Sequence, residues 1–151
     1  MTPLKIRARI IAERTSWIRR MLEDLRALPC TSYQVFMSDP RTSAAAESYL
    51  RRALEALLDM GRHILAKGFG KAVVEYKEIP IKLREEGILN EIETDLLREM
   101  AGYRNRMVHF YNEISSEELY QICAGQVGDI DKILTLILTW IESHPEMIDK
   151  S

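Results

Sequence analysis

Apolar residues recur at intervals of three and four along nearly the whole chain, with only seven glycines and five prolines to interrupt them. That spacing gathers apolar side chains on one face of a 3.6-residue helix, whereas no run alternates with the period of two that a half-buried strand needs. The chain is therefore expected to be all-α. A first helix is predicted from about Pro3 to Leu28, because Ile6, Ile10, Trp17, Met21, Leu25 and Leu28 share one broad face and Pro29 stops the pattern. Its other face carries Arg7, Arg14, Arg19, Arg20 and Arg26. That row reads as a solvated face, with a surface for RNA phosphates or an acidic partner as the alternative.

Residues Cys30 to Ser38 show no period and read as a connection, after which Asp39-Pro40 offers an N-cap followed by a proline in the first helical position. The long helix that follows carries Tyr49, Leu50, Ala53, Leu54, Leu57, Leu58, Ile64 and Leu65 as one stripe, and Gly68-Phe69-Gly70 stops it. His63, near its end, reads as a plain surface or half-buried residue. Lys71 to Gly87 is expected to form one bent or split helix broken at Pro80. A fourth helix begins near Asn90 and continues through Ile92, Leu96, Leu97 and Met100 toward Met107. Ser115 with Glu118 forms a capping box for a last helix that runs through Leu119, Ile122, Val127, Ile130, Leu134, Ile137 and Ile141 and ends before His144-Pro145. Its Ile133–Leu138 stretch is apolar almost all round, which suits a central helix or a dimer interface. Sequential helices with short connections make an up-and-down antiparallel bundle.

With 151 residues the chain has the length of one domain, residues 1–151, and buries roughly 70% of its unfolded surface. Twenty-one basic residues against 23 acidic ones leave no bulk positive field, so any nucleic-acid contact must be local. Cys30 and Cys123 lack CxxC spacing and read as free buried thiols. No uninterrupted apolar segment matches a signal peptide or a membrane span, so a cytoplasmic location without membrane contact is expected.

Phosphate-binding glycine loops, HExxH and GxSxG are all missing, and no acidic cluster is spaced to hold a metal. Glu85-Glu86 and Glu117-Glu118 are adjacent pairs whose side chains point about 100° apart on a helix, so neither pair shares an ion. Neither a metal nor a cofactor is expected. What stands out is Arg104-Asn105-Arg106-Met107-Val108-His109-Phe110-Tyr111, which fits the needs of metal-free RNA cleavage. A histidine can take the proton from a ribose 2′-hydroxyl or give one to the leaving 5′-oxygen, while an arginine holds the charge that builds on phosphorus. Arg104 and His109 are the candidates. Five residues along a straight α-helix turn the chain through 500°, leaving the two side chains about 140° apart. Either the helix ends near Met107 or Val108 and the chain bends, or two copies of the segment meet in a symmetric homodimer. The dimer is preferred, because it supplies two histidines, one as base and one as acid. By residue types alone, capping or dipole compensation at a helix end is the competing explanation.

Arg104 to His109 resembles the Arg-x4-6-His signature of the HEPN superfamily, and Arg104 to Tyr111 resembles the Arg-x4-His-x-Tyr form of HepT-like toxins, the partners of minimal nucleotidyltransferase antitoxins. Ala44 to Leu65 resembles that family's second helix, and Leu83–Leu89 with Met100–Asn105 resembles its approach to the motif. The likeness runs from about residue 4 to 141. It implies an all-helical homodimer with a metal-independent endoribonuclease site between protomers, formed by Arg104 and His109 and acting on RNA, tRNA being the class suggested. It also implies that the antitoxin transfers AMP onto Tyr111, where added phosphates would compete with substrate phosphate two residues from His109. Asn105 and Arg106 are the candidates to orient or bind phosphate. Two other readings stay open: a non-catalytic helical subunit that binds a nucleotide or partner for a nucleotidyltransferase, and a helical scaffold whose arginine row makes the contacts.

Overall fold

A computed structural model describes residues 5–109 and 114–151. Among the described residues seven α-helices carry the fold: α1 (Ala8–Arg26), α2 (Tyr33–Met37), α3 (Pro40–Phe69), α4 (Glu78–Glu85), α5 (Glu91–His109), α6 (Ser116–Gly125) and α7 (Val127–Glu142). Two-residue strands β1 (Ile6–Arg7) and β2 (Ile148–Asp149) pair in parallel and bring the two ends of the chain together. The all-α expectation holds at the level of class; two-residue strands are too short to show any period.

The axis of the bundle is α3, not the last helix. Thirty residues long, and so about 45 Å from end to end, α3 packs against every other helix and against β1. Its residues Leu50, Leu54, Leu57, Leu58, Met60, Ile64 and Leu65 are wholly buried. Each such side chain contributes about 1.5–3 kcal/mol by leaving water. Gly61 lets α4 approach, since a Cβ there would stand 2.8 Å from the Cγ2 of Ile79. Asp39 caps the start of α3 by accepting from the Arg41 amide at 2.9 Å, and Gly70 ends it in the left-handed region at φ 65°. On α7 the buried residues are Val127, Ile130, Ile133, Leu134 and Ile137, so the apolar run is only half covered: Leu136 and Leu138 are partly open to solvent.

Several boundaries differ from expectation, each for a local reason. α1 begins at Ala8 because Ile6 and Arg7 are extended in the strand pair. Its buried stripe is Ile11, Thr15, Ile18, Met21, Leu22 and Leu25, which keeps the expected Met21 and Leu25 but takes Ile11 and Ile18 in place of Ile10 and Trp17, so Trp17 is 39% exposed. The Cys30–Ser38 connection contains α2, started by the Ser32 hydroxyl accepting from the Val35 amide. Pro80 does not break α4: it falls in the first turn, where its missing N–H has no intrahelical partner to lose. The expected last helix is two helices, parted at Gln126 between Gly125 and Gly128, both poor helix formers. Cys30 and Cys123 are both free, but only Cys123 is buried. No helix among the described residues is long and apolar enough to cross a membrane.

His63 anchors the first strand. Its Nε2 accepts from the Arg7 amide at 3.0 Å, tying β1 to α3. Burial, and then the nearby cations Lys67, Arg7 and Arg14, hold its pKa below the ordinary histidine value, which keeps the ring neutral and able to accept.

Candidate functional site

The candidate site is built on α5, whose start is fixed by a reciprocal cap. The Glu93 amide donates to the Asn90 side chain at 2.8 Å, and the Asn90 amide donates to the Glu93 carboxylate at 2.9 Å. Leu97, Met100 and Ala101 bury one face of the helix. The helix then continues unbroken to His109, so the bend considered near Met107 or Val108 is not there. Arg104 and His109 accordingly leave the helix in different directions: Arg104 turns inward, its side chain 16% exposed, and His109 stands exposed in the last turn.

Arg104 is held on three sides. Its Nη2 donates to Oε2 of Glu55 at 3.0 Å, its Nη1 donates to the neighbouring Asn105 at 3.3 Å, and its guanidinium lies over the Tyr76 ring, 4.6 Å from the centroid. The network continues along α3. Arg51 donates to the other oxygen of Glu55 at 2.6 Å, and Tyr76 donates its hydroxyl to Asp59 at 2.8 Å. Arg62 donates to Asp59 at 3.1 Å and to the backbone carbonyls of Val73 and Val74, and it too lies against the Tyr76 ring. Burial first, and then the bond to Asp59, push the Tyr76 hydroxyl up to about 12, so it remains a donor at any ordinary pH. Among the described residues the Arg104 Nε is buried without a hydrogen-bond partner. Arg104 thus has a fixed plane, which is what an anionic transition state requires of a guanidinium.

Arg106 turns the other way, toward α6. Its two terminal nitrogens donate to the two oxygens of Glu118 at 2.8 and 2.7 Å, tying the end of α5 to the start of α6 across residues 110–113. The Arg106 bond holds the Glu118 carboxyl below its ordinary pKa. Because Glu118 is turned to Arg106, the predicted capping box is one-sided: Ser115 accepts from the Glu118 amide at 3.1 Å, and the carboxylate is used elsewhere. Tyr103 donates to Glu99, and burial followed by that bond raises its hydroxyl to about 12. Tyr111 lies outside the described residues.

Sequence reasoning singled out Arg104, Asn105, Arg106 and His109 but missed Glu55, Asp59, Arg62 and Tyr76, which orient the arginine. The α3 members had a signal: Arg51, Glu55, Asp59 and Arg62 step by four, four and three, a ladder of opposite charges along one edge of an otherwise apolar helix. Tyr76 had none, since its loop meets α3 and α5 only through tertiary packing.

Grooves open along α1. A larger one, about 800 Å3, lies between α1 and α7 and includes neither Arg104 nor His109. A smaller one of about 220 Å3 between α1 and α3 is lined by Arg14, Trp17, Arg52, Glu55, Ala56 and Asp59, and so shares Glu55 with Arg104.

A family model described as Ribonuclease HepT-like matches residues 18–137. A protein of Archaeoglobus fulgidus named putative RNase is 28% identical over 138 residues, covering 85% of this chain and 98% of that one. A protein of Aphanizomenon flos-aquae named tRNA nuclease HepT is 28% identical over 112 residues, covering 74% of this chain and 76% of its own. The tri-AMPylated Shewanella oneidensis HEPN toxin, solved in complex with its MNT antitoxin, superposes with a TM-score of 0.78 at 21% identity, covering 86% of this chain and 97% of that one.

Proposed function

The chain belongs to the HepT-like ribonuclease family, and from that premise we propose that it is an endoribonuclease toxin that cleaves RNA, tRNA being the substrate class, without a metal. In this reading Arg104 and His109 are the catalytic residues. One His109 takes the proton from a ribose 2′-hydroxyl, whose oxygen attacks the adjacent phosphorus. A second His109, from the partner in a homodimer, protonates the departing 5′-oxygen. The products are a 2′,3′-cyclic phosphate and a free 5′-hydroxyl, and the proton taken at one oxygen is replaced at the other. Arg104 holds the charge on the equatorial phosphorane oxygens through paired N–H donors.

The observation that carries the reading is the family match, whose span contains an inward-turned, pre-oriented Arg104 and an exposed His109 on one helix. The unbroken α5 supports the homodimer, because within one chain the two groups diverge and a second copy can bring its His109 to the first copy's Arg104. Asn105 orients Arg104, and Arg106 is the second candidate for phosphate, its charge offset by Glu118 while no RNA is bound. A minimal nucleotidyltransferase antitoxin is the partner in this reading, and it silences the toxin by AMPylating Tyr111.

The test is cleavage of purified tRNA in excess chelator by the wild type and by His109→Ala, with end-group analysis of the products. Cyclic-phosphate ends made by the wild type and absent with the variant are expected. An undiminished rate with His109→Ala overturns the assignment of His109. If the wild type is inactive and intact-mass analysis finds Tyr111 unmodified, the reading gives way to that of a non-catalytic partner-binding subunit.

A further inference from the structure

Of the arginine row on α1, Arg14 lies in the groove between α1 and α3, beside a second arginine and an open indole. Ile10, Arg14 and Trp17 lie four and three residues apart on one edge of α1, and Arg52, Glu55, Ala56 and Asp59 are spaced by three, one and three along the facing edge of α3. Arg14 and Trp17 are therefore side-by-side neighbours looking across at Arg52. Trp17 is 39% exposed while the aliphatic residues around it on α1, Ile11, Ile18 and Met21, are buried. An indole left open between two arginines is a surface on which a flat ring can stack.

The charges favour an anion in spite of the two carboxylates in the lining. Glu55 is already held by Arg51 and Arg104, and Asp59 by Arg62 and the Tyr76 hydroxyl. Among the described residues Arg14 and Arg52 form no ion pair. Counting the groove and the groups bound to its walls, five guanidinium groups face two carboxylates. The excess is local, in a chain whose overall charge is −2.

We propose that this groove is a subsite for an unpaired nucleotide of the RNA substrate, with its base stacked on Trp17 and the flanking phosphates taken by Arg14 and Arg52. It rests on the ribonuclease reading and names the form of RNA that reading requires. The groove shares Glu55 with Arg104, so a strand lying in it runs toward the proposed catalytic arginine. A base in an A-form duplex is stacked on its neighbours and hidden from an indole, so the subsite selects single-stranded segments and loops. Stacking on an aromatic face tolerates every base, so the groove sets strandedness and position rather than sequence.

The test uses a short 2′-O-methylated RNA strand, which lacks the nucleophilic hydroxyl and is not cleaved. In a Trp140→Phe background Trp17 is the only indole, and its fluorescence is expected to be quenched saturably by the single strand and not by the same sequence in a duplex. Trp17→Ala and Arg52→Glu should each weaken binding about tenfold, within the range for loss of one stacked base or one phosphate contact. Trp17→Phe should restore most of the affinity, which separates stacking from folding. In cleavage assays Trp17→Ala should raise KM and leave kcat nearly unchanged.

Equal quenching by the duplex, or wild-type affinity in both variants, overturns the subsite. So does a change in oligomeric mass without a change in RNA affinity, which would make the groove a contact between copies. Loss of antitoxin binding with RNA affinity intact would assign it instead to a protein partner. If the wild type, with Tyr111 unmodified, fails to cleave tRNA while the quenching and the weaker binding of the variants stand, the ribonuclease reading fails and the single-strand site survives. If cleavage stands and quenching is absent, the subsite alone fails.

Discussion

Replacing Glu55 with glutamine keeps the volume of the side chain and removes its charge, leaving Arg51 and Arg104 facing each other without the anion between them. The Arg104–Glu55 pair is 3.0 Å long, with side chains 16% and 24% exposed, so it is shielded from solvent more than a surface pair is. A hydrogen bond between charged groups in such a place contributes about 1.5–3 kcal/mol. Glutamine retains one acceptor, which sets the expected loss near 2 kcal/mol, or roughly 4–8 °C in Tm for a chain of this length. The effect on catalysis should have a particular form. Freed of its counter-ion, Arg104 attracts phosphate at least as strongly, but it is no longer aimed. We expect KM to be unchanged or lower and kcat to fall about tenfold, short of the roughly 10²–10³-fold loss that follows removal of a transition-state donor outright. Calorimetry and steady-state cleavage of one RNA substrate under chelation read both quantities. If Tm falls as expected while kcat is untouched, Glu55 holds the fold and not the aim of Arg104. If neither moves, the pair contributes nothing and the reasoning fails at its first step.

Three further outcomes follow from individual contacts. His63 has its pKa lowered by burial and then by neighbouring cations, so the unfolded chain binds its proton more readily; its contribution is full above the ordinary histidine value and is lost as pH falls from there toward the folded value. His63→Gln, which can still accept from Arg7, should flatten stability over that window, and acid should speed amide exchange at Arg7 in the wild type but not in the variant. Ser115→Ala removes the hydroxyl that caps α6 and should cost about 1 kcal/mol in urea unfolding, with Ser115→Gly costing less. Glu118 has its pKa lowered chiefly by the Arg106 hydrogen bond, so its support is present above the unfolded carboxylate value and lost as pH falls through the folded one. Glu118→Gln should match the wild type in strong acid and fall below it toward neutrality, and an equal gap at all pH values would refute the pairing.

The parts of the fold legible in the sequence are those fixed within a few residues of themselves. The period of three and four marked the helices, Asp39-Pro40 and Ser115 marked two starts, and Gly70 marked an end, because caps and left-handed stops depend on their own turn. The reciprocal Asn90–Glu93 cap was equally local and open to the same reading. The strand pair was not legible, since Ile6 meets Ile148 only after the whole bundle has formed between them. Trp17 shows the limit of periodicity most clearly. A stripe drawn through Ile10, Trp17, Met21 and Leu25 and one drawn through Ile11, Ile18, Met21 and Leu25 differ at their first two members by one residue, about 100° of helix, and only packing against α3 decides between them.

The same limit applies to the candidate site. Arg104 and His109 were legible as residue types because a short motif carries them, but their directions were not. Glu55, which holds Arg104, is 49 residues away, and nothing near residue 104 announces it. The sequence posed the choice between a bent helix and a second copy, and an unbroken α5 removes the first option for the described residues. That makes self-association a necessary condition of the proposed chemistry and not an accessory to it. Dilution into monomer should therefore abolish cleavage in proportion to the loss of dimer, and in a mixture of wild-type and His109→Ala chains activity should fall as the square of the wild-type fraction, because a hybrid dimer keeps only one of the two histidines. A monomer that cleaves at full rate, or a mixture whose activity falls only in proportion to the wild-type fraction although hybrid dimers form, would mean that the two His109 side chains do not act together across two chains.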